Sequence, residues 1–320
     1  MQNLLASWQE FVRDKKRRKD VAGFLTHFSD NLFVLHRSLQ DKTYRHGGYQ
    51  AFSVRDPKPR EIHKASVQDR LVHHALYRVL YPHFDRYFIY DSYSCRFRKG
   101  THRAVSRFRL FAWHVSKNNT RTCWILKCDI RKFFANIDHG ILRAILAKYI
   151  KCPDTLGLVG EVVGSFHTSG KLGVGLPLGN LTSQLLVNVY MNEFDQFVKR
   201  ELLQKYYIRY ADDFVIMSNS KDTLSELLPR IATFLRDELR LSLHPDKVSV
   251  NTLSSGVDFL GWVNFPHHRV LRTSTKKRMF QKMALVVGDD PERVNATRQS
   301  YLGLLSHGNT EKLRRILFLG

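Results

Sequence analysis

Between Tyr206 and Met217 the chain runs Tyr-Tyr-Ile-Arg-Tyr-Ala-Asp-Asp-Phe-Val-Ile-Met. Two runs of strand formers flank the unit Ala-Asp-Asp, the pattern of a β-hairpin with carboxylates at its tip. Adjacent aspartates in such apolar surroundings repel each other and lose hydration. A bound divalent cation relieves both costs. An isolated Asp-Asp is usually no more than a turn pair, so the decision rests with the rest of the chain.

A chain of 320 residues is long enough for a large single domain or for two to three subdomains. Its 51 Lys and Arg against 29 Asp and Glu leave a net charge of +22. Folding does not need such an excess, and self-repulsion opposes compaction. It points to a polyanionic partner, nucleic acid before a membrane surface. No apolar run is long enough to span a bilayer, and Met1–Glu10 has no secretory signal pattern. The expectation is a cytoplasmic protein with no membrane partner. Cys95, Cys123, Cys128 and Cys152 lack a second Cys or His pair at zinc-site spacing, so they are expected to be reduced, mostly buried thiols.

Taken in order, residues 1–44 read as helices, with Trp8, Phe11, Phe24, Phe28, Leu32 and Leu35 at helical intervals. Lys15-Lys16-Arg17-Arg18-Lys19 is either a solvated face or a phosphate contact. Tyr49–Val54 reads as a strand, followed by a bend that aims Lys58 and Arg60 outward. Val67–Pro82 reads as a helix whose His73 and His74 have no metal-ligand partner and are expected to be structural or RNA-facing. Thr101–His114 is a further helix. Trp124–Phe134 is a β-rich run ending in Asp129 and then a turn of cations and aromatics. Asp138 is a candidate N-cap for a helix over Gly140–Ile150. Gly173–Gly179 reads as a turn region, Asn180 to about Lys199 as a long helix, and Leu224–Leu239 as an amphipathic one. Leu241–Val248 turns into a strand and presents Lys247. Val257–Val263 is hairpin-like, and from about Arg272 the chain is basic and helical.

Asp129 precedes Asp212 by 83 positions (212 − 129), and both stand among Ile, Leu, Val and Phe. If their strands are neighbours in one antiparallel sheet, Asp129, Asp212 and Asp213 converge. That set suits two magnesium ions: one to acidify an attacking 3′-hydroxyl, the other to hold a triphosphate and its leaving pyrophosphate. In-line phosphoryl transfer otherwise needs positioning and positive charge. Lys58, Arg60 and Lys247 are the candidate phosphate ligands.

An ordered set of motifs then carries a resemblance. Pro-Arg-Glu-Ile, Gln-Asp-Arg-Leu-Val, Cys-Asp-Ile-Arg-Lys-Phe-Phe, Leu-Pro-Leu-Gly-Asn-Leu-Thr-Ser-Gln, Tyr-Ala-Asp-Asp, Leu-His-Pro-Asp-Lys and Phe-Leu-Gly-Trp follow one another along the chain. From about Tyr44 to Pro266 the chain resembles a reverse transcriptase of the bacterial group-II-intron-like branch. The resemblance implies an α+β right-hand polymerase fold with fingers, a palm of antiparallel sheet plus helices, and a small helical thumb. It implies an N-terminal helical extension over 1–44, fingers and palm over 45–265 and a basic helical thumb over 266–320. It further implies that Asp129, Asp212 and Asp213 are the metal-binding palm carboxylates, with the Ile130 carbonyl touching a metal. Two Mg2+ ions are the implied cofactors, and Mn2+ a substitute. Phe134 would block a ribose 2′-hydroxyl, its alternative being a core phenylalanine. Arg60, with Lys58, would clamp the triphosphate, and Leu178 and Gly179 would border the nucleotide. Lys247 would neutralise or protonate the leaving group. Leu260-Gly261-Trp262 would hold the primer end. The implied partners are template RNA, the RNA/cDNA duplex and deoxynucleotides.

One departure narrows the resemblance. The common pattern Leu-Pro-Gln-Gly followed by Ser-Pro has Leu178 in place of its glutamine and Gln184 in place of its proline. Leucine neither donates nor accepts a hydrogen bond, and each decade of discrimination is worth only about 1.4 kcal/mol. The Gly-Asn-Leu-Thr-Ser-Gln variant is similar to reverse transcriptases of diversity-generating retroelements, which copy a template-repeat RNA with errors at adenine and work with a small basic accessory protein. The other readings are a retron, antiphage-defence or intron-derived reverse transcriptase and, from a different class, a catalytically silent RNA-binding protein.

Overall fold

The two runs of strand formers within residues 206–217 become a pair of antiparallel strands, and the helical spacings become helices, in the computed structural model. The structure describes residues 1–55, 59–286 and 288–319, without the side chains of 318 and 319. The chain opens with α1 (Gln2–Phe11), α2 (Lys19–Leu25) and α3 (Phe28–Gln40), and Lys15–Arg18 form the turn after α1. A hairpin of β1 (Tyr49–Val54) and β2 (Arg60–Ala65) follows, with Tyr49 opposite Ala65. Lys58 lies outside the described residues. Then come α4 (Val67–Asp85), α5 (Thr101–Val115), β3 (Trp124–Asp129) and α6 (His139–Tyr149). α4 runs through Pro82 to Asp85 rather than stopping there, since a proline so near the end disturbs only the final turn.

α7 (Pro153–Gly164) was not anticipated, because glycines and β-branched valines mask its period. Proline at its start and the buried Val159, Val162 and Val163 at i, i+3 and i+4 account for it. α8 (Leu181–Gln196) passes into a π-turn at Phe197–Glu201. The remainder is β4 (Tyr207–Tyr210), β5 (Asp213–Ser218), α9 (Lys221–Asp237), β6 (Ser249–Thr252), β7 (Val257–Phe259), β8 (Trp262–Asn264), β9 (Arg269–Leu271), α10 (Thr273–Val286), α11 (Pro291–Leu305) and α12 (Glu311–Leu319). Among the described residues no helix is long and apolar enough to cross a membrane.

The chain divides into two compact units. The first comprises Met1–Tyr90, Ile130–Glu201 and Ala232–Ser242; the second comprises Asp91–Asp129, Leu202–Ile231 and Leu243 onward. In the first, α4 packs on α1 and α8 through a face that buries Leu71, Val72, Leu76 and Leu80. Asp69, 2% exposed, is the polar pin of this unit. Ser66 caps α4 by accepting from the Asp69 amide at 3.1 Å and donating to its carboxylate at 2.6 Å. The Tyr44 hydroxyl donates to the same carboxylate at 2.7 Å. His73 is buried beside them, with one ring nitrogen 2.9 Å from His46 and the other 3.1 Å from Thr182. Burial, then the neighbouring His46, pushes His73 down to about 3, so it is a neutral structural histidine.

In the second unit the sheet order is β4-β5-β3-β6, all antiparallel, and a smaller sheet runs β7-β8-β9. α5 lies on β4 and β5, and Phe108 stacks on Phe259 at 5.3 Å inside one apolar core. Cys123 and Cys128 are buried here, but Cys95 and Cys152 are exposed, so the expectation of mostly buried thiols holds for half of them. Both exposed cysteines sit in irregular backbone just outside elements, where no apolar face claims them.

Burial opposes the charge on Asp69, but the hydrogen bonds from Ser66 and Tyr44 outweigh it and hold the carboxyl below its ordinary range. Asp69 therefore contributes stability above the usual carboxylate pKa, and that contribution is lost as pH falls through the lower folded value. Replacing Asp69 by Ala leaves its donors without an acceptor and should lower unfolding stability by about 3 kcal/mol at pH 7 in urea melts. The gap to the parent protein should close in acid.

Candidate active site

β3 is the centre of the site. Its register sets Asp129 directly across from Asp213 on β5. Side chains of directly opposed residues share one sheet face. Lys127, two residues before Asp129, shares it too. On the other side of β5, Tyr210 faces Asp213, so the hairpin closes through two residues, Ala211 and Asp212. A loop that short needs positive φ to match the strand twist, and Ala211 supplies it at φ 55°. An L-residue pays roughly 1–2 kcal/mol for this conformation. The Arg209 guanidinium, fully buried, donates to the Ala211 carbonyl at 3.2 Å and braces the turn.

The Leu-His-Pro-Asp-Lys segment docks on Asp129 twice. The His244 amide donates to the Asp129 carbonyl at 2.7 Å, and a tight helical turn over Pro245–Lys247 brings the Lys247 ammonium to its carboxylate, also at 2.7 Å. The residual charge falls on Asp213. Burial first, then Asp212 and Asp129, push its carboxyl up to about 6, against the pull of Lys127 and Lys247. This end of the sheet is short of positive charge. Among the described residues, no three His, Cys, Asp or Glu side chains are drawn close enough to enclose a metal ion. Lys127 was missed in the sequence. Its only signal was the i, i+2 spacing to Asp129, which means nothing until the strand is known.

Leu260 and Gly261, at φ 51° and 89°, form the two-residue turn between β7 and β8. Trp262 does not share that exposure. It is 1% exposed and belongs to the apolar core, because it pairs with Phe259 at the first buried position of β8. Its side chain therefore supports the turn from within the core. Ile130 directly follows Asp129 and is itself buried.

The remaining residues lie in the first unit. Lys132 has φ 46°, and a tight turn over Phe133–Asn136 buries Phe133 while Phe134 stays partly exposed. Phe134 is thus not the core member of the pair. Its carbonyl accepts from the Leu176 amide at 2.8 Å, which ties it to the Leu-Pro-Leu-Gly turn. That turn clips onto β2. The His63 amide donates to the Leu178 carbonyl at 2.9 Å, and the Asn180 side chain donates to the His63 carbonyl at 2.9 Å. Gly179 has φ 103°, and a Cβ there would stand 2.6 Å from Ile62 Cγ2, so only glycine fits. Arg60 is exposed at the start of the same strand, three residues before His63. The bond through Asn180 was not foreseen. A capping role was more natural for that residue, but its side chain leaves the helix for β2.

Antiparallel palm-type sheet, flanking helices and a carboxylate pair opposed beside an Asp-Asp turn define a right-hand polymerase-like α+β protein. Apo telomerase from Candida tropicalis shares this fold with a TM-score of 0.55 at 11% identity, over 75% of this chain and 52% of that one. The reverse transcriptase (RNA-dependent DNA polymerase) family matches residues 55–263, and the chain belongs to that family. Its enzyme class is RNA-directed DNA polymerase. Protein YkfC from Escherichia coli strain K12 is 24% identical over 284 residues, 78% of this chain and 72% of that protein. Group II intron-encoded protein LtrA from Lactococcus lactis subsp. cremoris is 22% identical over 311 residues, 76% of this chain but only 50% of its own length.

Arg209→Met keeps an unbranched, apolar filler and removes the donor to Ala211. Primer extension by this variant should slow roughly ten- to hundred-fold through misplacement of Asp212 and Asp213, with duplex affinity held. Unchanged synthesis would show that the turn does not depend on it.

Proposed function

We propose that this chain is the error-prone RNA-directed DNA polymerase of a diversity-generating retroelement, copying a template-repeat RNA into mutagenised cDNA. The opposition of Asp129 and Asp213, with Lys247 on Asp129, is the observation that carries the catalytic part. Reverse transcriptases generally use divalent metal ions. Magnesium keeps several waters and takes one or two protein carboxylates plus substrate phosphates, so a facing pair short of positive charge fits it without a closed protein cage. Asp129 and Asp213, with Asp212 as a further ligand and the Ile130 carbonyl, would hold two Mg2+, and Mn2+ would substitute. Bound there, the ions would supply charge stabilisation to the attacking 3′-oxygen and the leaving pyrophosphate.

The chain's own groups do the rest in this proposal. Lys247 neutralises or protonates the leaving group, and Lys58 and Arg60 hold the triphosphate. The Phe134 ring excludes a 2′-hydroxyl. The Leu260-Gly261 turn bears on the primer end, with Trp262 beneath it. Fingers and palm would span 45–265 and the basic thumb 266–320. Leu178 supports the retroelement assignment: with no hydrogen-bonding group beside Gly179, it cannot restrain an incoming base, and a small basic accessory protein would complete the assembly. The intron-encoded relative LtrA favours a second reading, an intron-derived reverse transcriptase, and a retron or defence enzyme is a variant of it. A template-repeat and variable-repeat pair beside the gene separates the two.

Asp212→Asn should abolish primer extension in magnesium while RNA affinity stays within about two-fold, because removing a metal ligand spares the phosphate contacts. Full activity in that variant removes the metal role. Leu178→Gln should lower misincorporation opposite template adenine roughly ten-fold, the worth of about one hydrogen bond. An unchanged error spectrum assigns the infidelity elsewhere and favours the intron-derived reading.

A further inference from the structure

The second unit contains a cavity of about 390 Å³, within the size range of small-ligand pockets. Its walls are one face of α5, the loop between β8 and β9, and the turn between α11 and α12. It lies away from the opposed aspartates. Leu253, on its wall, donates its amide to the Cys123 carbonyl next to the Trp124 end of β3. Asp129 is at the other end of that strand, five residues on, or about 16 Å at roughly 3.3 Å per residue.

The lining has one sign of charge. Arg109 and Arg269 carry it, His267, His268 and His307 add ring nitrogens to the lining, and among the described residues no carboxylate lines it. The Nη1 nitrogen of Arg269 is buried with no hydrogen-bond partner, and its guanidinium lies over the Trp262 ring at 5.8 Å. Arg109 and Arg269 both line the cavity, and burial, then the nearby Arg109, lower the Arg269 pKa. Flat rings stand beside them. The Trp113 indole is 43% exposed, and Phe265 stacks on His268 at 4.7 Å and 10°. Paired guanidiniums next to exposed aromatic faces are the chemistry that takes a phosphate and an unpaired base together.

We propose that this cavity is a second RNA site, a pocket for one nucleotide of single-stranded RNA, with its phosphate on Arg109 and Arg269 and its base on the Trp113 indole. An RNA segment held there is an anchor outside the templating position. The site stands on this unit's own geometry, so its failure leaves the polymerase reading untouched.

The test uses the full chain saturated with an unlabelled primer–template duplex, then titrated with a fluorescein-labelled single-stranded RNA hexamer and followed by anisotropy. Arg109→Gln and Trp113→Ala change exposed side chains on α5 that lie outside the catalytic machinery. Each should weaken hexamer binding roughly ten-fold. Arg109→Gln should also reduce the slope of log affinity against log salt by about one. Extension of a short oligonucleotide template should be unchanged in both. Absence of hexamer binding to the saturated protein, or binding unaffected by both variants, overturns the proposal. Displacement of the hexamer by inorganic phosphate or uridine monophosphate at equal concentration makes this a small-anion site. Displacement by poly-glutamate at equal concentration makes it an acidic-protein site. Either result overturns the RNA assignment.

Discussion

Two carboxylates facing each other across neighbouring strands, with a third one residue away, are the constraint on which the second unit depends. Opposed like charges destabilise a sheet, and burial near an apolar core adds to the cost. The protein leaves that cost partly unrelieved. Lys247 neutralises Asp129, and Asp213 is left with its carboxyl pushed up to about 6. A sheet built only for stability would place Ser or Thr here. The proposed metal site would be better served by a charge deficit ready to be filled.

Much of the surrounding structure keeps these groups in place. The hairpin tip tolerates an alanine at positive φ because the Arg209 guanidinium bonds the carbonyl of that residue. The Leu-His-Pro-Asp-Lys turn is pinned to Asp129 by main chain and side chain together, so the ammonium is aimed by the backbone and not by a flexible stem alone. In the first unit the same principle applies to a different surface. The Leu-Pro-Leu-Gly turn is hydrogen-bonded to β2 on both sides of Gly179, and Asp69 ties the start of α4 to the chain before it. Each functional loop borrows rigidity from a strand or a capped helix.

The large positive charge then has a physical purpose beyond solubility. Each phosphate neutralised by Lys or Arg releases condensed counterions, which gives affinity without sequence preference. Some cations are spoken for by local carboxylates, as Arg70 and Lys64 are by Asp20. Among the described residues no acid lines the cavity beside Arg109 and Arg269, which is what distinguishes these two from those locally paired cations.

The sequence by itself determined the local elements and the chemistry available to them. Tyr207-Ile208 and Phe-Val-Ile-Met could be read as strands, Ala211-Asp212 as the turn between them, and Asp138 as the cap of α6, because each is a contest decided within a few residues. α7 escaped because its valines and glycines weaken the period that packing later imposes. The tertiary structure alone decided the register that sets Asp129 against Asp213, the face on which Lys127 lies, and the departure of the Asn180 side chain to β2. It also separated near-equal neighbours, sending Phe133 and Trp262 inward while Phe134 and Leu260 stay accessible. A strand shifted by one residue keeps all its local preferences and presents the opposite face, so such choices exist only once the partner strand is in place.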